Sequence, residues 1–265
     1  MPRPRKPKPA QHKAPPTDWG KVADWYDDLV GEEGSEYQRQ VVFPNVLRML
    51  SLQPGQRILD IACGQGVFCR LLLERGAQPT GVDAARSLIH IARQRTAGAI
   101  DYHVGDAREL TFLPHARFDA AVCLLAIQNI HPFQPVFDGA ARALAPDGRL
   151  IVVMMHPCFR SPKHTAWGWD EQNTTQYRRV DRYLLPRKEP IVTHPGKDPG
   201  KYTWTFHRPI GDYVKALRRA GLLLDALEEW PSHKTSQPGA RADAENQARL
   251  EIPMFLALRA LKAQT

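Results

Sequence analysis

Asp60, Gly64 and Gly66 fall within the run LDIACGQGVF, where an apolar stretch of strand character gives way to a helical one. Glycine at such a junction permits a tight turn and lets backbone approach a ligand closely, and the helix N-terminus beyond it offers unpaired N–H donors. Asp83 closes the next apolar run, 19 residues after Gly64, where a carboxylate can accept hydrogen bonds from both hydroxyls of a ribose. Asp106 follows the third such run, in VGDAREL. Acids at the carboxyl ends of three adjacent strands converge on the crevice in which parallel sheets bind ligands. They suit a cationic, polar nucleoside ligand better than a pyrophosphate, which they would repel. One more reactive group stands in IVVMMHPCFR, residues 151–160. Pro157 cannot donate to a sheet ladder, so the strand stops at His156. A histidine there reads as a general base titrating near neutral pH, a ligand, or a satisfied polar group closing a core.

From Arg57 onward, short apolar strands alternate with helical stretches, the pattern of βαβ units and a doubly wound parallel sheet. The spacing predicts strands at RILDIA, PTGVD, DYHVG, FDAAVCLLA and LIVVMM. Helices are predicted at about Val67 to Arg75, Ala85 to Thr96 and Phe137 to Leu144. Before this core, residues 17–50 read as a helical cap interrupted by Gly31 and Gly34, with Val42, Val46 and Met49 or Leu50 on one face. After it, regularity fails: residues 157–200 hold six prolines, three glycines and WGWD. A long irregular segment in a compact domain reads as a lid or binding loop, with surface decoration as the alternative. Order resumes at KYTWTFHR, then a helix in PIGDYVKALRRAG, a strand in LLLDALEEW, a polar loop, and a last strand in MFLALRAL. The expected organisation is therefore a basic tail at 1–16 and one domain at 17–265. That domain divides into a cap (17–50), a cofactor-binding core (51–156), a lid insertion (157–208), and a C-terminal helix and strands (209–265).

Composition narrows the function. The chain has 265 residues, 43% of them hydrophobic, and a formal charge of +8, enough for one large globular domain with a full core. Five cations and no acid occupy MPRPRKPKPAQHK, so much of the excess charge belongs to a proline-rich stretch that cannot bury apolar surface. That tail reads as a solvated extension or as an anchor for polyanions. No run approaches membrane-spanning length and no signal-peptide core is visible, so a cytoplasmic location is expected. The four cysteines, Cys63, Cys69, Cys123 and Cys158, have neither C-x-x-C nor zinc-site spacing, so no metal is expected.

The run Asp60-x-Ala62-x-Gly64-x-Gly66, then Asp83, GDA at 105–107, FDAAVCLLAIQNI and ALAPDGRLIVV together resemble the class I S-adenosylmethionine-dependent methyltransferases. The resemblance is close over about residues 37–155. It implies a seven-stranded, mostly parallel sheet of order 3-2-1-4-5-7-6 with its last strand antiparallel. It also implies S-adenosylmethionine as cofactor, S-adenosylhomocysteine as product, and roles for matching positions. Asp60 would lie near the cofactor's ammonium, with Gly64 and Gly66, beside Ala62, under its methionine and ribose. Asp83, followed by Ala84, would hold the ribose hydroxyls, and Asp106 the adenine amino group with Ala107 beside it. Leu124 matches the fourth-strand contact, and Tyr37 resembles a lid tyrosine.

Methyl transfer from a sulfonium needs alignment and desolvation more than acid chemistry, helped by a base where the acceptor is protonated. His156 is the candidate base. His164, Tyr177, Tyr183, His194, His207, Trp167, Trp169, Gln128 and Asn129 are further residues that could face an acceptor, though Trp167 and Trp169 could equally be buried anchors that order the lid. A nicotinamide dehydrogenase would want a third glycine where Cys69 stands. QNIHPF lacks the Asn/Asp-Pro-Pro-aromatic turn of base N-methylation, and a cytosine C5 mechanism would rest on Cys158 as nucleophile. The expected function is methyl transfer to oxygen or nitrogen of a small-molecule acceptor. RNA or ribosome-associated protein is the alternative acceptor, and a non-catalytic cofactor-binding module is the third reading.

Overall fold

The computed structural model describes residues 19–194 and 198–263; the basic tail at 1–16 lies outside them. The core alternates β1 (Arg57–Ile61), α3 (Val67–Glu74), β2 (Gln78–Asp83), α4 (Arg86–Thr96), β3 (Asp101–Val104) and β4 (Phe118–Leu124), then α5 (Gln134–Ala143) and β5 (Leu144–Met155). Ahead of it stand α1 (Ala23–Val30) and a continuous π-to-α helical stretch ending in α2 (Phe43–Leu50). Beyond it come β6 (Thr165–Asp170), β7 (Thr175–Val180), β8 (Arg187–His194), β9 (Asp198–His207), α6 (Ile210–Arg219), β10 (Leu222–Trp230), α7 (Ala242–Glu251) and β11 (Phe255–Lys262).

The main sheet has seven strands in the order β3-β2-β1-β4-β5-β11-β10. Strand β11 runs antiparallel to both β5 and β10, so the sheet is the doubly wound, mostly parallel one expected. Its strands alternate faces with period two. Leu59, Ile61, Leu150, Val152 and Met154 pack toward α5 and α6, whereas Ile58, Ile151 and Val153 pack toward α2 and α3. Burial on both faces explains why these segments read as continuous apolar runs.

Three expectations change. The insertion at 157–208 is not irregular: it forms two antiparallel hairpins, β6–β7 and β8–β9. Its prolines and aromatics mask the period-two pattern. The polar loop after β10 contains α7, which packs on β7 and has a single buried residue, Ala248, so it lacks an apolar stripe. Helix α5 begins three residues earlier than read, with Pro135 in its first turn, a position that proline tolerates.

Gly66 caps α3 with φ of +78°, and a Cβ there would lie 2.3 Å from the Tyr102 hydroxyl. Replacing Gly66 by Ala should cost about 2–4 kcal/mol through the left-handed backbone and the clash together. Gly55 has φ of +82° and nothing within 4 Å of its Cβ position, so Gly55→Ala should cost only about 1 kcal/mol. Urea unfolding of both variants checks this, and equal losses would contradict it.

Candidate functional site

The carboxyl ends of β1, β2 and β4 enclose a cavity of about 790 Å³ counting its open mouth. Ala62, Gly64, Asp83, Ala84, Asp106, Ala107 and Leu124 all line it, so seven of the expected cofactor residues come together. The turn after β1 is held by Asp83. Its Oδ2 accepts the Gly64 N–H at 2.9 Å and its Oδ1 accepts the Ala85 N–H at 2.8 Å. Burial raises the Asp83 carboxyl above its usual range, and those two amide bonds oppose the rise. Ala62 (φ +60°) and Leu125 (φ +57°) both sit in the left-handed region and both line the cavity. Non-glycine residues held there carry backbone strain, as do turn residues elsewhere in the chain such as Ser51 and Ala97.

Asp60 occupies a small recess that shares Ala62, Leu124 and Tyr26 with the main cavity. It accepts a hydrogen bond from the Cys69 thiol at 3.3 Å. Burial pushes its carboxyl up to about 7, with the Asp83 charge adding to the rise. A neighbouring cation would draw the proton off again.

Other expected residues are displaced from their roles. Tyr37 does not line the cavity: its ring packs edge-on against His233 and Phe255, because its helix faces the β11 side of the sheet. Tyr26 of α1 lies over the glycine turn instead, its ring 3.1 Å from where a Gly64 Cβ would stand. The signal for Tyr26 was present in Trp19, Val22, Ala23, Tyr26 and Val30, an apolar stripe at helical spacing. Gly66 lines neither cavity nor recess; it makes room for Tyr102. Asp106 faces the cavity, but Arg108 clasps its carboxylate through Nε (3.0 Å) and Nη2 (2.6 Å). The pairing holds that carboxyl ionised against the effect of burial, so the oxygens expected to meet an amino group already have a partner.

A second cavity, about 1090 Å³ counting its mouth, adjoins the first; Trp19, Leu125 and Asn129 line both. The β8–β9 hairpin covers it through Ile191, Thr205, Phe206 and His207. Gln128 and Asn129 line it as read from sequence. Asn129 is 6% exposed, and its Oδ1 has no hydrogen-bond partner among the described residues. A buried amide oxygen left unpaired is costly, which marks it as a group awaiting a donor.

His156 borders this second cavity but is 1% exposed. Its Nδ1 accepts the Cys158 N–H at 3.2 Å. With that nitrogen unprotonated, Nε2 donates to Glu229 at 2.7 Å. Both ring nitrogens are thus engaged, and burial pulls its pKa down. Trp167 lies between the Arg160 and Arg178 guanidinium groups, at 5.1 and 5.0 Å, and Trp169 meets Arg241 at 4.4 Å. These aromatics anchor the β6–β7 hairpin and do not line the pocket. His164 pairs with Glu189 at 3.4 Å, Tyr177 is exposed over Gly168, and the Tyr183 hydroxyl accepts the Ile210 N–H. The His194 side chain lies outside the described set. Burial raises the thiols of Cys123 and Cys158, the opposite of what a thiolate nucleophile needs. No cluster of metal-binding side chains occurs among the described residues, and none of their helices is long and apolar enough to cross a membrane.

The strand order and the glycine turn at the end of β1 define a Rossmann-like fold. Within that class, residues 59–152 match a family described as a methyltransferase domain. The chain is 30% identical over 159 residues to a demethylmenaquinone methyltransferase of Tropheryma whipplei (strain Twist), across 59% of this chain and 60% of that one. It is 26% identical over 245 residues to the dTDP-3-amino-3,6-dideoxy-alpha-D-glucopyranose N,N-dimethyltransferase of Streptomyces fradiae, across 84% and 93%. Among solved structures it resembles an S-adenosylmethionine dependent methyltransferase from Mesorhizobium loti, with a TM-score of 0.64 and 29% identity over 84% of this chain and 99% of that one. The chain spans about 60% of the length of the first curated relatives it matches. The matching domain, these relatives and the strand order together support a class I S-adenosylmethionine-dependent methyltransferase.

Asp60 gives a pH signature. Its folded-state pKa of about 7 stands well above an unfolded value of about 3.9. The folded chain therefore holds this proton more tightly, and stability falls as pH rises through that window. In Asp60→Asn this loss disappears, so the melting temperature of the variant should gain on the wild type between about pH 4 and about pH 7. A constant gap across that range would contradict the assignment.

Proposed function

We propose that this protein transfers a methyl group from S-adenosylmethionine to an oxygen or nitrogen of a small-molecule acceptor. The observation that carries the reading is the pair of adjoining cavities sharing Trp19, Leu125 and Asn129. One is lined by the residues that suit a nucleoside, and the other is a half-open, largely apolar pocket under the β8–β9 hairpin. The fit to the cofactor rests on three features. The Asp83 carboxylate closes β2 with lone pairs left for ribose hydroxyls, Gly64 offers backbone without a Cβ, and Asp60 has a proton that a cation would displace. The small-molecule class is favoured by the concave, largely apolar second cavity under the β8–β9 hairpin. The names of the quinone and amino-sugar methyltransferases above agree with it.

When bound, S-adenosylmethionine supplies a methyl group on a good leaving group. The chain's task is then to align the acceptor and exclude water. Tyr26 and Trp19, in edge contact at 5.5 Å, wall the glycine turn, and the β8–β9 hairpin closes the acceptor side. Asn129 Oδ1 is suited to accept a hydrogen bond from the proton-bearing nucleophile at the junction and so orient it. Methyl transfer would release S-adenosylhomocysteine, and the proton of the acceptor's O–H or N–H would pass to solvent water, the nucleophile being held by Asn129 Oδ1. His156 serves on this reading as a strand-end pin joining β5 to β10, because both its nitrogens are engaged.

Incubation with methyl-labelled S-adenosylmethionine and a cell extract should put label in the small-molecule fraction; label confined to RNA or protein would overturn the acceptor class. Asp83→Ala should weaken S-adenosylhomocysteine binding by about 10- to 100-fold in calorimetry, and undiminished affinity would refute the site. For His156→Asn we expect a lower melting temperature with the acid limb of the pH–rate profile unmoved. Loss of that limb would restore His156 as the base.

A further inference from the structure

Arg208 follows the β9 strand and is 5% exposed, yet it lines the second cavity. Its Nη2 donates to the Ile130 carbonyl at 2.6 Å and lies 3.3 Å from His131 Nδ1. Its Nη1 reaches the Ile127 carbonyl at 3.5 Å. The Phe133 ring lies 4.4 Å from its guanidinium carbon and the Phe206 ring 5.4 Å. All these partners are neutral, and no carboxylate pairs with Arg208 among the described residues. A buried charge without a counter-ion is costly, and carbonyls and aromatic faces offset only part of that cost.

The rest of the wall does not supply the missing charge. Arg160, on the same cavity, also meets only neutral groups: the carbonyls of Pro253 and Ile252 at 3.1 Å each and the Trp167 ring at 5.1 Å. Glu189 is committed to Lys163 and His164, and Glu229 to His156. Beyond these charges the lining is largely apolar, with Leu29, Met155, Ile191 and Phe206. The cavity is therefore an apolar chamber with excess positive charge at one wall. That wall belongs to the loop that carries Asn129, since Arg208 is bonded to the carbonyls of Ile127 and Ile130.

We infer that the methyl acceptor is a small, mostly apolar molecule bearing an oxyanion, a carboxylate or phosphate, and that Arg208 recognises that group. A planar guanidinium in a dry pocket pairs with such anions through short, charge-assisted hydrogen bonds. The anion would neutralise the buried cation while the apolar body fills the chamber. This inference rests on the proposed methyl-transfer site and names the class of molecule it takes.

The test uses the full chain saturated with S-adenosylhomocysteine, titrated calorimetrically with phenylacetate, phenyl phosphate and the neutral isostere phenylacetamide. At least one of the anions should bind about tenfold or more tightly than the amide, and the two anion arms distinguish carboxylate from phosphate. Arg208→Gln should abolish that preference while retaining affinity for S-adenosylhomocysteine, which verifies folding. Should this variant fail to fold, the wild-type comparison of anion with amide decides alone. Equal binding of the amide and both anions, or an anion preference that survives in folded Arg208→Gln, would overturn the inference. Failure of S-adenosylhomocysteine itself to bind the wild type would instead reject the cofactor reading beneath it.

Discussion

The two backbone amides gathered by Asp83 form the constraint on which the site depends. One carboxylate, at the end of β2, ties the glycine turn after β1 to the start of α4. Those segments are separated in sequence and meet only because β1 and β2 are parallel neighbours in register. The bond therefore converts sheet topology into the shape of a ligand wall. Burial raises the energy of the carboxylate and the two amides lower it again, which leaves a partly compensated acid facing a cavity. Ala62 and Leu125 reinforce the picture, since their left-handed backbones at two strand ends hold the wall open at a cost that packing elsewhere offsets.

A second level of organisation comes from the elements added to the core. The short helix at Trp19 and the hairpin β8–β9 bring a roof to the strand ends, and the loop after β4 brings Asn129 between the two cavities. The same loop receives Arg208 from beyond the hairpin. Orientation at the junction and charge at the acceptor wall are thus built on one segment, residues 127–131. On the proposed reading, alignment of nucleophile and recognition of acceptor are mechanically linked.

Much of this was legible in the sequence. The apolar runs and the glycines between them mark the strand order's first five members, because strands buried on both faces leave uninterrupted apolar stretches. Asp83 and Gly64 were legible because their spacing is that of one βα unit. The hairpins at 165–207 were not, since half-exposed strands rich in proline and aromatic residues lack a clean alternation. The tyrosine over the turn is Tyr26 and not Tyr37, because the orientation of the N-terminal helices depends on tertiary packing. The commitment of Asp106 to Arg108, two residues on, was open to a local reading; the engagement of His156 by Glu229 of a distant strand was not. Arg208 gave no signal, for nothing in IGDYVK or HRP reveals that a cation is buried without a carboxylate.

The most direct test is a crystal structure of the protein with S-adenosylhomocysteine. Density is expected in the cavity at the ends of β1, β2 and β4, with the ribose hydroxyls on Asp83 and the sulfur facing the Asn129 junction. A ligand bound elsewhere, or a sulfur sealed off from the second cavity, would contradict it.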